Sequence, residues 1–259
     1  MSEAILEKVR KINWVLQEAP KGDFSFNDLC KILSDLTNAN VYLANVRGKI
    51  LGVHYKIESD KNLVSNPDGG AESFDTKENE AFLSISETRA NLQGEEVTAI
   101  FADGESTSSK YHTVIPVVGG GQRWGTLILA RYEPEFNAED IALSEVGATV
   151  VGLEIQRVKS IEEEENNRQK EIVRMAISTL SYSENEAVKR IFEELDGEEG
   201  ILVANKIADH SKITRSVIVN ALRKLESAGV IESTSLGMKG THIRVLNSKF
   251  YQELGKLEK

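Results

Sequence analysis

Cysteine is almost absent from this chain of 259 residues. Only Cys30 carries a thiol, which excludes a disulfide framework and gives no basis for a cysteine-ligated metal site. No apolar stretch reaches the roughly 18 residues that a membrane-spanning helix needs. The N-terminal residues 1–19 are charged and amphipathic, without the uninterrupted apolar core of a signal peptide. We therefore expect a cytoplasmic protein that does not contact a membrane.

The motifs of common enzyme classes are missing as well. The four histidines show no metal-ligand spacing, no Gly-x-Ser-x-Gly sequence occurs, and no carboxylate pair stands out. The glycine-rich stretch 120–126 lacks the lysine and the following helix of a phosphate-binding loop, so it predicts a hairpin turn. Residues 205–209 resemble the guanine-reading Asn-Lys-x-Asp motif but contain one residue too many. We predict no catalytic residue and no metal site.

Basic residues are the minority overall, but they are unevenly distributed. The net charge is −10. Residues 200–259 hold 10 lysines and arginines against 5 aspartates and glutamates, a balance of +5 that leaves −15 for residues 1–199. A basic segment on an acidic body attracts phosphates at one end only. Because a short segment can reach this balance by chance, the charge shows where to search for nucleic-acid binding and does not establish it.

The first half of the sequence predicts an antiparallel sheet flanked by helices. Two amphipathic helices precede it, on either side of a turn at 20–23, and the polar stretch 60–80 predicts a loop or an irregular helix. Apolar runs predict strands at Val41–Val46, Ile50–Tyr55, Val97–Phe101, Thr113–Val118 and Gly125–Tyr132. This arrangement is typical of a GAF- or PAS-like sensor domain, which holds a small ligand between its sheet and the covering loops.

A long helix is predicted next, over about 138–180. Asn137 is a suitable N-cap, and acidic residues follow in the first turn, where the helix dipole favours them. Apolar residues then recur at the alternating three- and four-residue spacing of a helix–helix seam, at Leu143, Val146, Val150 and Leu153. We expect this seam to join two copies of the chain. The acidic run Glu162–Glu165 is expected to be a solvated helix face.

From Ser183 onwards the pattern predicts a winged helix-turn-helix module. Its helices are expected at 186–195, at about Ile201–His210 and at Arg215–Ala228, where Gly229 ends the last of them. Two strands, Ile231–Ser235 and Thr241–Leu246, flank a glycine-containing hairpin tip. Helix, short turn, helix and hairpin follow in the order that a winged module requires.

The third helix of this module carries a polar stripe opposite its apolar face. Arginine suits guanine edges in the major groove, asparagine suits adenine, and lysine suits phosphate. Side chains on the hairpin can reach a flanking groove or the backbone. The residues predicted to contact double-stranded DNA are Thr214, Arg215, Ser216, Asn220, Arg223, Lys224, Lys239 and His242.

Several segments resemble the CodY family. They are Thr113–Gly121, Gly147–Glu154, Met175–Tyr182, Ile191–Gly200 and, most closely, Lys206–Asp209 with Ile213–Gly229. CodY proteins are global, nutrient-sensing transcriptional repressors of low-GC Gram-positive bacteria. The resemblance implies a homodimer whose GAF domain binds branched-chain amino acids such as isoleucine, with GTP as a second effector. It also implies repression of amino-acid biosynthesis and stationary-phase genes.

One departure from the family concerns the effector. In the family, an arginine-methionine pair after the second strand grips the amino acid, whereas the matching stretch here is Asp60-Lys61-Asn62. A lysine cannot make the forked pair of bonds that a guanidinium makes with a carboxylate. We therefore expect weakened or altered isoleucine binding. The candidate effector-binding residues are Lys61 and, facing inward on a predicted strand, Thr98, Ile100 and Phe101.

The sequence as a whole predicts an α+β protein. Residues 1–137 form a GAF-like sensor domain, 138–182 a linker helix, and 183–259 a winged helix-turn-helix domain. The predicted function is operator binding controlled by effectors through a population shift. Two other hypotheses remain. One is a GTP-hydrolysing switch, against which the missing phosphate-loop lysine argues. The other is an effector-sensing assembly module that binds protein instead of DNA.

Overall fold

A computed structural model of the chain describes residues 2–18, 25–57, 73–101, 109–195, 197–203 and 213–258. The chain divides into two compact units, an N-terminal unit of Met1–Lys159 and a C-terminal unit of Ser160–Lys259. The division falls inside the long helix, α5 (Ala138–Ser178), which the sequence predicted. None of the helices in the described ranges combines the length and the hydropathy needed to cross a membrane.

A five-stranded antiparallel sheet forms the centre of the N-terminal unit. Its strands are β1 (Asn40–Asn45), β2 (Ile50–His54), β3 (Arg89–Leu92), β4 (Tyr111–Gly119) and β5 (Gln122–Arg131), and they lie in the order β2-β1-β5-β4-β3. Four of these strands were predicted from apolar runs and are confirmed. β3 was not predicted, because Leu92 is its only strongly apolar residue. The glycine-rich stretch 120–126 is a hairpin turn followed by a strand, as expected.

The two faces of this sheet are covered by different helices, because successive strand residues point to opposite sides. On one face, Val41, Leu43 and Val117 pack with α1 (Ser2–Glu18), α2 (Phe26–Thr37) and the first part of α5. On the other face, Tyr42 and Val114 pack with α3 (Thr76–Ser84) and α4 (Glu95–Thr98).

The segment Val97–Phe101 is not a strand, and the prediction of one was wrong. A helical turn begins after Gly94, whose φ is +60°, and the amides of Thr98 and Ala99 donate to the carbonyls of Gly94 and Glu95. The apolar residues of the segment, Val97, Ile100 and Phe101, follow the i, i+3, i+4 spacing of a helix face. This spacing indicated a helix, but the segment was assigned as a strand because it is a short apolar run.

Helix α5 approaches the sheet so closely that only glycine fits at the contact. A Cβ atom on Gly119 would lie 2.3 Å from the carbonyl oxygen of Gly152. The helix face that carries Leu143 and Val150 is buried in the core of its own unit. The predicted seam between two copies is therefore wrong for these two residues, although Leu153 is exposed.

The described part of the C-terminal unit combines helices with a three-stranded antiparallel sheet. Its helices are α6 (Tyr182–Glu194), α7 (Arg215–Ser227) and α8 (Phe250–Leu254), and its sheet contains β6 (Glu199–Leu202), β7 (Ile231–Ser235) and β8 (Thr241–Val245) in the order β6-β8-β7. The last turns of α5, with Val173 and Ile177, belong to the core of this unit.

The second helix of the module was predicted to begin too early. Ile201 and Leu202 are extended and pair with His242 and Thr241 of β8. Ile201 is exposed and Leu202 is buried, the alternation of a strand at the edge of a core. Residues 204–212, which include the rest of the predicted helix and part of the turn, lie outside the described residues.

Candidate nucleic-acid interface

Helix α7 packs one face into the core and exposes a polar stripe on another, beside the exposed Val219. The buried residues are Ile218, Ala221, Leu222 and Leu225. Ser216, Asn220 and Arg223 are exposed, and their spacing aligns them along the helix. Arg215 is exposed in the first turn. Within the described part of the chain neither arginine forms an ion pair, so both guanidinium groups can bind a base edge or a phosphate.

The N-terminus of α7 has no side-chain cap among the described residues. Thr214 is the N-cap residue, but its hydroxyl lies 2.9 Å from the Ser216 hydroxyl and makes no capping bond to a helix amide. Unsatisfied amides at a helix N-terminus favour anions, and phosphate in particular. The end of α7 that carries Thr214, Arg215 and Ser216 is therefore chemically suited to an anion.

Lys224, which follows Arg223 on α7, is bonded to other parts of the protein. Its Nζ donates to the carboxylate of Glu184 at 2.7 Å and to the carbonyl of Thr179 at 2.9 Å. The hydrogen bond from Lys224 lowers the pKa of the Glu184 carboxyl, and an amide bond from Ser181 adds to the effect. The lysine side chain is 41% exposed and the glutamate side chain 10% exposed. The ammonium group of Lys224 thus has two acceptors within the protein, whereas Arg223 beside it has no ion-pair partner among the described residues.

The hairpin between β7 and β8 carries the wing residues. Lys239 is exposed in a 3-10 turn, Gly237–Lys239, at the tip, and it has no carboxylate partner among the described residues. Nε2 of His242 lies 2.9 Å from the Glu199 carboxylate. An exposed pair of this kind contributes little, so a phosphate could replace the carboxylate.

The second sheet face of the N-terminal unit holds a row of aromatic rings. Tyr42, Phe74, Phe82 and Phe101 make successive edge contacts with centroids 5.1 to 6.2 Å apart, and the ring of the buried His112 lies 4.8 Å from that of Phe101. We call this region the aromatic chamber. Sequence reasoning found Phe101 but missed the other rings, because they come from four separate elements.

The predicted effector-binding residues are placed differently by the structure. Ile100 and Phe101 pack against the aromatic chamber. Thr98 is exposed, and its hydroxyl donates to the Glu95 carbonyl at 3.0 Å, so its predicted inward orientation was wrong. The helical turn of α4 buries Val97 in its place. Lys61 lies outside the described residues.

Arg123 ties the end of α3 to the sheet at this chamber. Its guanidinium donates to the carbonyls of Ile85 at 2.8 Å and Phe82 at 3.3 Å, and to the Thr126 hydroxyl at 2.9 Å. Burial lowers the pKa of Arg123. Sequence reasoning missed this residue because the stretch around it was compared only with phosphate-binding loops.

Two family models match the chain. The CodY GAF-like domain matches residues 4–179, and the CodY helix-turn-helix domain matches residues 198–258. The chain belongs to the CodY family. The resemblance, the α+β fold and the winged module predicted from the sequence are thereby confirmed. The chain is a transcriptional regulator with a CodY GAF-like effector-sensing domain and a CodY helix-turn-helix DNA-binding domain.

Relatives extend the match to CodY over almost the whole length. The global transcriptional regulator CodY of Bacillus licheniformis is 50% identical over 261 residues, which cover 98% of this chain and 99% of that protein. CodY of Clostridium perfringens is 47% identical over 255 residues, with the same coverage. A solved cofactor-binding GAF domain of the nutrient sensor CodY from Clostridium difficile is 39% identical and covers 60% of this chain and 99% of its own, with a TM-score of 0.48.

Proposed function

We propose that this CodY-family regulator binds a double-stranded operator through α7 and the β7–β8 wing, as a homodimer. The observation that carries the proposal is the exposed stripe of α7. Arg215 and Arg223 have no ion-pair partner among the described residues, while the opposite face of the helix is fixed in the core. A rigid helix that presents unpaired guanidinium groups is suited to a major groove.

Each polar residue of this surface has a distinct proposed role. Arg223 and Asn220, in the middle of α7, read base edges. Thr214, Ser216 and Arg215, at its N-terminus, bind phosphate and set the register of the helix on DNA. The wing residues Lys239 and His242 contact a flanking part of the backbone. Lys224 contributes no phosphate contact in this proposal.

The aromatic chamber is the proposed effector site. An isoleucine or valine side chain suits its apolar rings, and the main-chain ammonium and carboxylate of the ligand must both find partners when buried. Val97, Ile100 and Phe101 form its α4 side, and Lys61 supplies a cation by resemblance to the family. GTP is the proposed second effector, to which we assign no residues.

In this proposal, operator affinity is controlled by effector binding alone, without a chemical reaction. An effector that binds one conformation better than another shifts the population towards it and changes operator affinity by the same coupling. We accordingly propose no catalytic activity, no resident metal and no membrane contact, and we place the protein in the cytoplasm with the DNA it regulates. A dimer would present two copies of α7 to the two halves of a palindromic operator.

Operator binding by two charge-matched variants tests this function. Arg215→Ala removes one positive charge from α7, and Arg168→Ala removes one from α5, where Arg168 pairs with Glu165 and is not among the residues proposed to contact DNA. We expect Arg215→Ala to cost about 1–3 kcal/mol of operator affinity and Arg168→Ala to cost much less. Fluorescence anisotropy with labelled operator DNA measures both, and circular dichroism checks the fold. Equal affinities for both variants and the wild type would overturn the assignment of α7.

Calorimetric titration with isoleucine, valine and GTP tests the effector part separately. Phe101→Ala should weaken binding of the amino acids because it removes one wall of the aromatic chamber, whereas the exposed Thr98→Ala should not. Amino-acid binding that is indifferent to Phe101→Ala would move the site away from the chamber. If the Lys61 ammonium contacts the bound amino acid, Lys61→Ala should weaken amino-acid binding in the same titration.

A further inference from the structure

Three elements of the C-terminal unit meet at the ammonium group of Lys224. The lysine lies on α7, and its Nζ donates to the Thr179 carbonyl, just after the end of α5. It also donates to Oε2 of Glu184, in the first turn of α6. We call this set of three residues the Lys224 clamp.

The carboxylate in the clamp is itself fixed by the start of α6. Glu184 Oε2 accepts a hydrogen bond from the Ser181 amide at 2.7 Å, and the Ser181 hydroxyl accepts one from the Glu184 amide at 3.3 Å. This is a capping box, which defines where α6 begins. The capping box thus fixes the carboxylate at the start of α6, and the hydrogen bond from Lys224 links α7 to that point.

An open groove lies between α5 and α7, and Lys224 and Thr179 are among the residues that line it. The groove has a volume of about 590 Å³. Ile172, Met175 and Ala176 of α5 line one side, and Arg223, Lys224 and Ser227 of α7 line the other. Because side chains do not fill this space, the edge of α7 that faces it gains no apolar packing there, although the opposite face is packed in the core. The bond from Lys224 to Thr179 joins two residues that line the groove.

We infer that Lys224 is a positioning residue for DNA binding and makes no contact with DNA. It holds α7, and with it Arg223 and Asn220, at a fixed orientation on α6 and on the end of α5. The inference rests on the proposed function of α7. Base readout needs side chains held within about 0.5 Å of their bonding geometry, so a loosened α7 loses operator affinity without losing a phosphate contact.

The salt dependence of operator binding separates the two roles of a lysine. Each phosphate contact contributes about 0.9 to the slope of log affinity against log salt concentration. Lys224→Met keeps the apolar stem and removes the ammonium. We expect it to weaken operator binding by roughly threefold to tenfold, with an unchanged salt slope. A slope that falls by about 0.9, as a lost phosphate contact requires, would overturn the inference.

Glu184→Gln should change operator affinity in opposite directions, depending on whether Lys224 contacts phosphate or positions α7. It releases the Lys224 ammonium and removes a negative charge, so a lysine that contacts phosphate would bind operator more tightly and with a steeper salt slope. A positioning lysine loses its anchor, and operator binding weakens as it does in Lys224→Met. The double variant should then be no weaker than the weaker single variant, because both changes break one interaction. Glu186→Gln, on the same helix, is the charge-matched control.

Two further variants complete the experiment on the full-length chain. Lys224→Arg retains a cation with several donors and should restore part of the affinity lost in Lys224→Met. Arg215→Ala shows what loss of a DNA contact looks like under the same conditions. If Arg215→Ala leaves operator binding unchanged, the proposed function fails and the inference fails with it. If Arg215→Ala weakens binding and Lys224→Met lowers the salt slope in the same way, the inference alone fails.

Discussion

The two ends of α5 are fixed by opposite arrangements of charge. At the N-terminal end the cation is buried. The Arg131 guanidinium donates to the Asp140 carboxylate at 2.7 Å and to the carbonyls of Thr37, Pro134 and Glu135, and the two charged side chains are 6% and 10% exposed. At the C-terminal end the anion is buried. The Glu253 side chain is 2% exposed, whereas its partners Arg174 and Lys256 are 55% and 52% exposed.

We call the buried Arg131–Asp140 pair the permanent anchor of α5, and the pairs of Glu253 with its exposed cations the adjustable anchor. A buried guanidinium whose donors all have partners cannot leave without stranding carbonyls and a carboxylate. Half-exposed cations can exchange their carboxylate for water or another anion at little cost. Between the anchors every residue of 157–168 is exposed, so this stretch of helix adds nothing to either described core. The adjustable anchor is at the end of α5 that belongs to the same unit as α7, the proposed DNA-reading helix.

The largest expected effect comes from breaking the permanent anchor. Arg131→Met should destabilise the N-terminal unit by about 3–5 kcal/mol, because it leaves Asp140 buried without a cation. Arg89→Met, which breaks an exposed pair with Glu96 in the same unit, should cost less than about 1 kcal/mol. Urea unfolding followed by tryptophan fluorescence measures both, since Trp14 and Trp124 are the only tryptophans of the chain and lie in this unit. An equal loss of unfolding free energy in the two variants would contradict the proposed difference between the buried and the exposed ion pair.

Acid should weaken the C-terminal anchor. The hydrogen bond from Lys256 lowers the pKa of Glu253; burial opposes this, and the hydrogen bond from Arg174 lowers the pKa further. The hydrogen bond from Lys224 lowers the pKa of Glu184 in the same way. A carboxyl whose pKa is lower in the folded state stabilises the fold above its ordinary pKa. That stability is lost as the pH falls through the folded value. We expect the C-terminal unit to lose stability as the pH falls below the ordinary glutamate range.

Glu253→Gln provides the comparison for this pH effect. It should cost about 1–2 kcal/mol at neutral pH, since the cations it loses are half-exposed. The variant should also lose less further stability on acidification than the wild type. Amide hydrogen exchange of α7 and β8, followed as a function of pH, measures the stability of this unit. Identical pH profiles for the two proteins would show that Glu253 does not supply the acid-sensitive contribution.

Local patterns in the sequence were sufficient for the architecture but not for the contacts. The hairpin β4–β5 and the limits of α7 follow from glycine turns, caps and apolar spacing within a few residues. The partners of Lys224 lie 40 and 45 positions away, and one partner of Arg131 lies 94 away, so only the folded chain brings them together. Lys224 and Arg223 were therefore both predicted to contact DNA, although only Arg223 is without an ion-pair partner within the described residues.

The same reasoning explains the errors on the sensor side. Leu143 and Val150 fit a seam between two helices, and a helix that packs on a sheet through glycines shows a similar pattern. Thr98 was assigned inward because a strand was expected, and a helix reverses that orientation. The rings of the aromatic chamber come from β1, α3 and residues near α4, so periodicity along one element could not group them.

The smallest expected effect concerns the helix between the anchors. Glu163→Gly should lower local helix stability by about 1 kcal/mol relative to Glu163→Ala, the cost of glycine in an exposed helix interior. Because 157–168 adds to neither described core, the loss should remain local and leave the tryptophan unfolding curve unchanged. Amide exchange within 157–168 measures it. A shift of the whole unfolding curve would mean that this stretch supports one of the units.

Base preference is the property that tests the DNA-reading role of α7 most directly. Wild type and Asn220→Ala, each as the full-length chain, would select binding sites from a randomised pool of duplex DNA. We predict that Asn220→Ala loses its preference for adenine at one position of each half-site, a discrimination of about 1–3 kcal/mol, while its affinity for random DNA is unchanged. Identical selected sites for the two proteins would contradict the assignment of α7 as the helix that reads the operator.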